Sequence, residues 1–257
     1  MKGLRVTGIL LLIFAAGWAV IAREDPASDI LIGQAVMRPL DDRQLGAFLS
    51  IDNRGDPDRL LAVSSASGRA TLYNPAADGG LPVQTGVSSL ALDGAHIRLG
   101  ITPGILSDGA LVPLTLTFEH AGPVVVKARL SDPATPGQAA DVGLFGVGDI
   151  CIVGEGEPAP RINLTVEPDG QGWKVLVTAV DFTFSEDLVG LYHVPGTGHG
   201  HIYVGGMKLG RLYAPQAHVG ALPKGTHEIR VTLNTNDHRA YVVDEDPVTA
   251  SAMIVVD

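Results

Sequence analysis

Short apolar runs cut by turn residues constrain this chain more than any other feature. Between residues 29 and 130 the segments AFLSIDN, LLAVSSA, ATLYN, SSLALD, AHIRLGI, LVPLTLTFE and PVVVKARL follow one another, with Gly, Asp, Pro and Asn turn signals between them. Runs this short, rich in Val, Leu, Ile and Thr, suit strands rather than helices, and their spacing predicts a β-sandwich. The pattern resumes at Arg161 with RINLTVEP, WKVLVTAVDFTF, HIYVGGMKLGRLY, GTHEIRVTLNTND and TASAMIVVD. Within it, VGGM predicts a tight hairpin, because paired glycines accept the positive φ that two-residue turns require. The expected fold class is all-β, as two β-sandwich domains.

The segment between the two blocks, SDPATPGQAADVGLFGVGDICIVGEGEPAP, is enriched in Pro, Gly and Ala and reads as a linker with one apolar stretch around Ile150 to Val153. At the start, Lys2 and Arg5 precede the apolar GILLLIFAAGWAVIA, and Val20 with Ala22 offers a small-residue cleavage site. The expected division is a signal peptide over 1–22, a first domain over 23–132, a linker over 133–157 and a His-rich second domain over 158–257. An exported, periplasmic chain follows from that signal, with an uncleaved anchor as the alternative. No membrane span is expected after cleavage.

Charge and cysteine content remove other classes. A net charge of −10, with no cluster of Lys and Arg, argues against a nucleic-acid partner. Cys151 is the only cysteine, so no internal disulfide and no CxxC pair can form, and its apolar setting in DICIVG reads as a buried small residue. No G-x-S-x-G elbow, H-E-x-x-H helix or P-loop is present, and no enzymatic activity is expected.

The chemistry concentrates in HVPGTGHGHIYVGGMKLG, residues 193 to 210, which holds three of the eight histidines. In a strand, side chains two apart share a face, so His199 and His201 point together, within reach of one ion. Gly200 between them leaves the other face bare. Two imidazoles make an incomplete site. His218 in APQAHVGAL and His238 in NTNDH are the candidates to complete it, with Met207 in the hairpin turn as an optional thioether. Asp237 could ligate or orient an imidazole, or close the NTND turn through its own side chain. Copper suits such a set best, since Cu(II) heads the divalent affinity order and imidazole is a good ligand for it, with zinc second. The alternative for HGH is a polar loop rim bonded to backbone or water.

The phrases GAFLSIDNRGDPDRLLAVSSASGRATLYN, LALDGAHIRLG and LSDGALVPLTLTFEHAGPVVVKARL resemble the PCuAC family of periplasmic copper(I) chaperones. The resemblance covers roughly residues 30 to 130 and implies a cupredoxin-like sandwich for the first domain. It also implies four ligand positions, a His, a later Met and a distal His-x-Met. Here these carry Asn74, a residue near Gln84, His96 and Arg98. Only His96 is retained as a ligand candidate, and a cationic Arg in place of a thioether removes the preference for Cu(I). The second block, through GHGHIYVGGMKLGRLY and LPKGTHEIRVTLNTNDH, looks like a small domain of exported bacterial proteins that accompanies copper-chaperone modules.

The function expected from these readings is copper sequestration or delivery by an exported metal-binding protein. Its main site lies in the second domain on His199, His201, His218 and His238, with Met207 and His96 as further candidates. The partners implied are the copper ion and a periplasmic or membrane copper protein as recipient. A non-metal envelope interaction or assembly module with an eroded copper site is the alternative.

Overall fold

The computed structural model describes residues 29–41, 43–76, 80–100, 106–131 and 150–257, so the expected signal peptide and most of the expected linker lie outside the described residues. The described residues form strands, turns and bends, with no helix. The all-β expectation holds.

Nine strands build the first block: β1 (Ile30–Pro39), β2 (Gln44–Asn53), β3 (Asp58–Ser64), β4 (Arg69–Tyr73), β5 (Leu81–Val83), β6 (Gly86–Leu90), β7 (His96–Gly100), β8 (Leu111–Phe118) and β9 (Pro123–Leu130). Strand β2 is long enough to pair β7 with its first half and β6 with its second, while β1 lies along its other edge. The second layer runs β5-β3-β8-β9, and a short parallel pairing of β1 with β9 joins the layers. Alternation sets the core. In β8, Val112, Leu114, Leu116 and Phe118 point inward and meet Leu45, Leu49, Ile51, Ile97 and Leu99 from the opposite layer.

Eleven strands make the second block: β10 (Ile150–Ile152), β11 (Arg161–Asp169), β12 (Gly172–Val180), β13 (Thr183–Phe184), β14 (Thr197–Val204), β15 (Met207–Leu212), β16 (Gln216–Val219), β17 (Gly225–Thr235), β18 (Ala240–Val243), β19 (Asp246–Pro247) and β20 (Thr249–Val256). One layer is β15-β14-β17-β20 and the other β11-β12-β16. Ile202, Val204, Ile229 and Val231 pack between them against Leu164, Val175 and Val177. Strand β10 falls inside the segment expected as linker yet pairs in parallel with β18. Its Cys151 is buried beside Leu233, Tyr241 and Val248. The apolar stretch noted there is thus part of the second block's sheet.

The VGGM hairpin forms as expected, with Gly205 at φ 52° and Gly206 at φ 91° between β14 and β15. Its setting was not legible. The tip enters the first block, where Asn74 Nδ2 donates to the Gly205 carbonyl at 3.1 Å and the Ala95 N–H donates to the Gly206 carbonyl at 2.7 Å. Met207 is fully buried in the first block's hydrophobic core, and Lys208 pairs with Ser89 of β6. A second seam lies nearby. The Thr85 N–H donates to the Ala221 carbonyl at 3.0 Å, and Gln84 Oε1 accepts from the Gly220 N–H at 2.8 Å.

Candidate metal centre

Strand β14 is buried along nearly its whole length, which means that both of its faces are covered. Ile202 and Val204 face the sandwich core. His199, His201 and Tyr203, on the alternate face, are turned away from it. The bare face expected beside Gly200 is instead filled, since a Cβ there would meet Leu212 at 3.0 Å and Val231 at 3.3 Å. At Gly198 a Cβ would run into the Asn234 carbonyl of the adjoining strand, so only glycine allows the two backbones to approach this closely.

The two imidazoles do converge. Their Nε2 atoms lie 3.1 Å apart and their ring centroids 4.9 Å apart. The third member arrives from the turn after β17. His238 adopts φ 69°, a left-handed conformation unusual for a residue with a side chain, and its N–H donates to the Thr235 carbonyl. That geometry brings its ring to 4.8 Å from His199 and 6.5 Å from His201, centroid to centroid. One ligand atom from each histidine falls within 4.8 Å of the others, and all three residues are buried. Asp237 takes the turn-closing role. Its carboxylate accepts from Thr235 Oγ1 and forms an ion pair with Arg239 at 3.0 Å.

Sequence reasoning missed the carboxylate behind this cluster. Asp93, in the turn between β6 and β7 of the first block, accepts from His201 Nδ1 at 2.8 Å through Oδ2. The same oxygen accepts from Lys208 Nζ at 2.6 Å and from the Tyr203 hydroxyl at 2.9 Å. With Nδ1 carrying its proton toward Asp93, the Nε2 of His201 presents a lone pair toward His199. This is the arrangement by which a carboxylate orients a metal-binding imidazole and raises its basicity. The only sequence signal was an Asp in a DG turn, indistinguishable from an ordinary turn former.

Burial sets the protonation states. It pushes His199 down to about 2, helped by His201 and His238 beside it. Burial first and the Lys208 charge second push His201 down to about 4, against the opposing pull of Asp93. Burial and then the Arg211 charge push His238 down to about 4. All three imidazoles are therefore neutral near pH 7, the form that binds metal. Burial alone would raise the Asp93 carboxyl, but the His201 hydrogen bond and the Lys208 charge outweigh it and hold the group far below its usual range. Two buried atoms of the cluster are left over, for His199 Nδ1 and Asp93 Oδ1 have no hydrogen-bond partner. The 3.1 Å separation of the facing Nε2 atoms is close to the roughly 3.3 Å between two nitrogens each ~2.0–2.1 Å from one tetrahedral ion.

These shifts fix a pH dependence. Each folded-state value lies below the ~6.5 of a free imidazole, so the unfolded chain takes up protons first as pH falls. The stabilisation is present above about 6.5 and is lost progressively toward about 4. Denaturation of metal-free protein is expected to show a midpoint that falls from pH 7 to pH 4.5, and a flat profile over that range would contradict neutral burial.

The other expected ligands lie elsewhere. His218 is in β16 of the opposite layer, exposed, with Nδ1 at 3.4 Å from Asp169. His218→Ala is expected to leave metal affinity unchanged and to move stability by less than ~0.5 kcal/mol, as for other surface sites; a lost equivalent of metal would overturn this. Met207 is a core residue. His96 is satisfied on both nitrogens, with Nδ1 3.1 Å from the Gly94 carbonyl and Nε2 accepting from Arg98 Nε at 3.2 Å. Arg98 also stacks over Tyr73 at 3.7 Å. The structure therefore gives His96 no free lone pair for a metal. Asn74 and Gln84, at or near ligand positions implied by the resemblance, instead hold backbone of the second block.

No protein-family model and no curated protein matches the chain. Among solved structures, the chain is similar to the copper-bound PCuAC domain from PmoF2, at 27% identity over 41% of this chain and 94% of that one, with a TM-score of 0.36. It is also similar to the apo PCuAC domain from PmoF1, at 27% identity over 41% of this chain and 95% of that one, with a TM-score of 0.38.

Proposed function

We propose that the protein binds one divalent transition-metal ion on His199, His201 and His238, with copper as the preferred ion, and serves to sequester or deliver it after export. The convergence of three buried, neutral imidazoles on one point carries this reading. A ligand set of imidazoles alone, with Met207 withdrawn into the core, favours Cu(II) over Cu(I), because thioether and thiolate ligands are what select the softer ion. Zinc fits the same three nitrogens in a tetrahedral arrangement and is the competitor. Burial of the ligands favours retention over rapid exchange, which suits a carrier that releases its cargo only on meeting a recipient. Export rests on the Lys2 to Ala22 signal pattern.

Equilibrium competition of Cu(II), Zn(II) and Cu(I) against chelators of known affinity tests this on protein from residue 23 onward. One equivalent of Cu(II), bound more tightly than Zn(II), is expected. Absence of stoichiometric binding by any of the three would sink the proposal and turn attention to the non-metal interaction reading.

A further inference from the structure

We infer that the metal site belongs to both blocks at once: Asp93 of the first block is the positioning residue of His201, and metal binding and docking of the two blocks form one coupled equilibrium. The inference rests on the three-histidine reading above and deepens it.

The turn that carries Asp93 is fixed from the second block in two ways. Its side chain gathers three donors on one oxygen, from His201, Lys208 and Tyr203, all belonging to β14 and β15. Its backbone is held as well, through the Ala95 N–H on the Gly206 carbonyl. The approach is close enough that a Cβ at Gly94 would lie 2.6 Å from that carbonyl oxygen. Lys208 Nζ and His201 Nδ1, 3.1 Å apart, both donate to that one Asp93 oxygen.

Two consequences follow for a metal. With the first block docked, His201 has one tautomer and one ring orientation, and its Nε2 is committed to the His199 side. Undocked, the imidazole would lose its acceptor and the buried Lys208 ammonium its counter-charge, so a cation would meet a misaligned ligand beside an uncompensated positive charge. An interaction that makes the docked form the better metal binder makes the metal-bound form the better docked one, by reciprocity of binding free energies.

The test compares full-length wild type with Asp93→Asn and with Asp93→Asn/Lys208→Gln, which leaves no unpaired lysine if the single variant fails to fold. Three readouts are used with Zn(II) and Cu(II) as the only added ligands: affinity by chelator competition, the imidazole N–H resonances of the Zn(II)-loaded form, and amide exchange at Ala95. Wild type is expected to show a slowly exchanging His201 Nδ1–H and metal-dependent slowing of Ala95 exchange. The variants are expected to bind about 10- to 100-fold more weakly, to lose that resonance and to lose the effect of metal on Ala95. Affinity within twofold of wild type, with metal still slowing Ala95, would overturn the role of Asp93 while leaving the three-histidine site standing. Failure of wild type to bind either metal would overturn both.

Discussion

Changing His199 and His201 together to Ala is expected to remove metal binding completely, taking the chain from one bound ion to none. The two residues supply two of the three nitrogens that converge on the site. If a site of this kind is worth ~10 kcal/mol and its ligands share that equally, losing two costs about 7 kcal/mol, or roughly five decades in affinity. Residual binding would fall below that of incidental surface histidines. The measurement is metal content after equilibration with a weak chelator, with circular dichroism and the metal-free denaturation midpoint to show that the variant is folded. Full retention of one equivalent would place the site elsewhere and remove the basis for reading HGH as a metal motif.

Met207→Ala is expected to have the largest effect on stability and none on the ligand set. The side chain leaves the hairpin of the second block and is fully buried in the first block's core. Truncating a buried methionine costs about 2–5 kcal/mol through lost burial and the cavity left behind. In a chain of this size that corresponds to a fall in Tm of roughly 5–15 °C. Below the new midpoint the visible and EPR spectra of the Cu(II)-loaded protein should match wild type, since no thioether contributes to the site. A changed copper spectrum with an unchanged Tm would reverse the assignment and make Met207 a ligand. The contrast matters because sequence proximity to HGH made Met207 look like a candidate, whereas its direction along β15 gives it to the interface.

Two kinds of information separate here. Period-two alternation and turn residues are local properties. They were enough to mark β8, β9, β12, β14, β17 and β20, to place the GG hairpin and to put His199 and His201 on one face, because a strand's side-chain direction depends only on the parity of position. The same rule could not tell what covered the face on which Gly200 lies, opposite the two imidazoles, and here Leu212 and Val231 from neighbouring strands filled it. Nor could it show that residues 150–152 add a strand to the second block, since three residues carry too little pattern to be read.

The site divides along the same line. His238 was within reach of sequence reasoning as a turn histidine, but its arrival beside His199 depends on a left-handed backbone conformation and on the pairing of β14 with β17. His218, with the same local description, is carried by β16 to the other layer. Asp93 lies more than one hundred residues before His201, and no local pattern links them.

The all-β class and the shared face of the HGH imidazoles were legible in the sequence alone, for each follows from interactions between residues a few positions apart. Long-range packing selects which histidine completes the trio, which carboxylate orients it and which residues are core. Those choices depend on how β14, β15 and the β6–β7 turn are brought together, and that is set by burying Met207 and satisfying backbone groups across the two blocks.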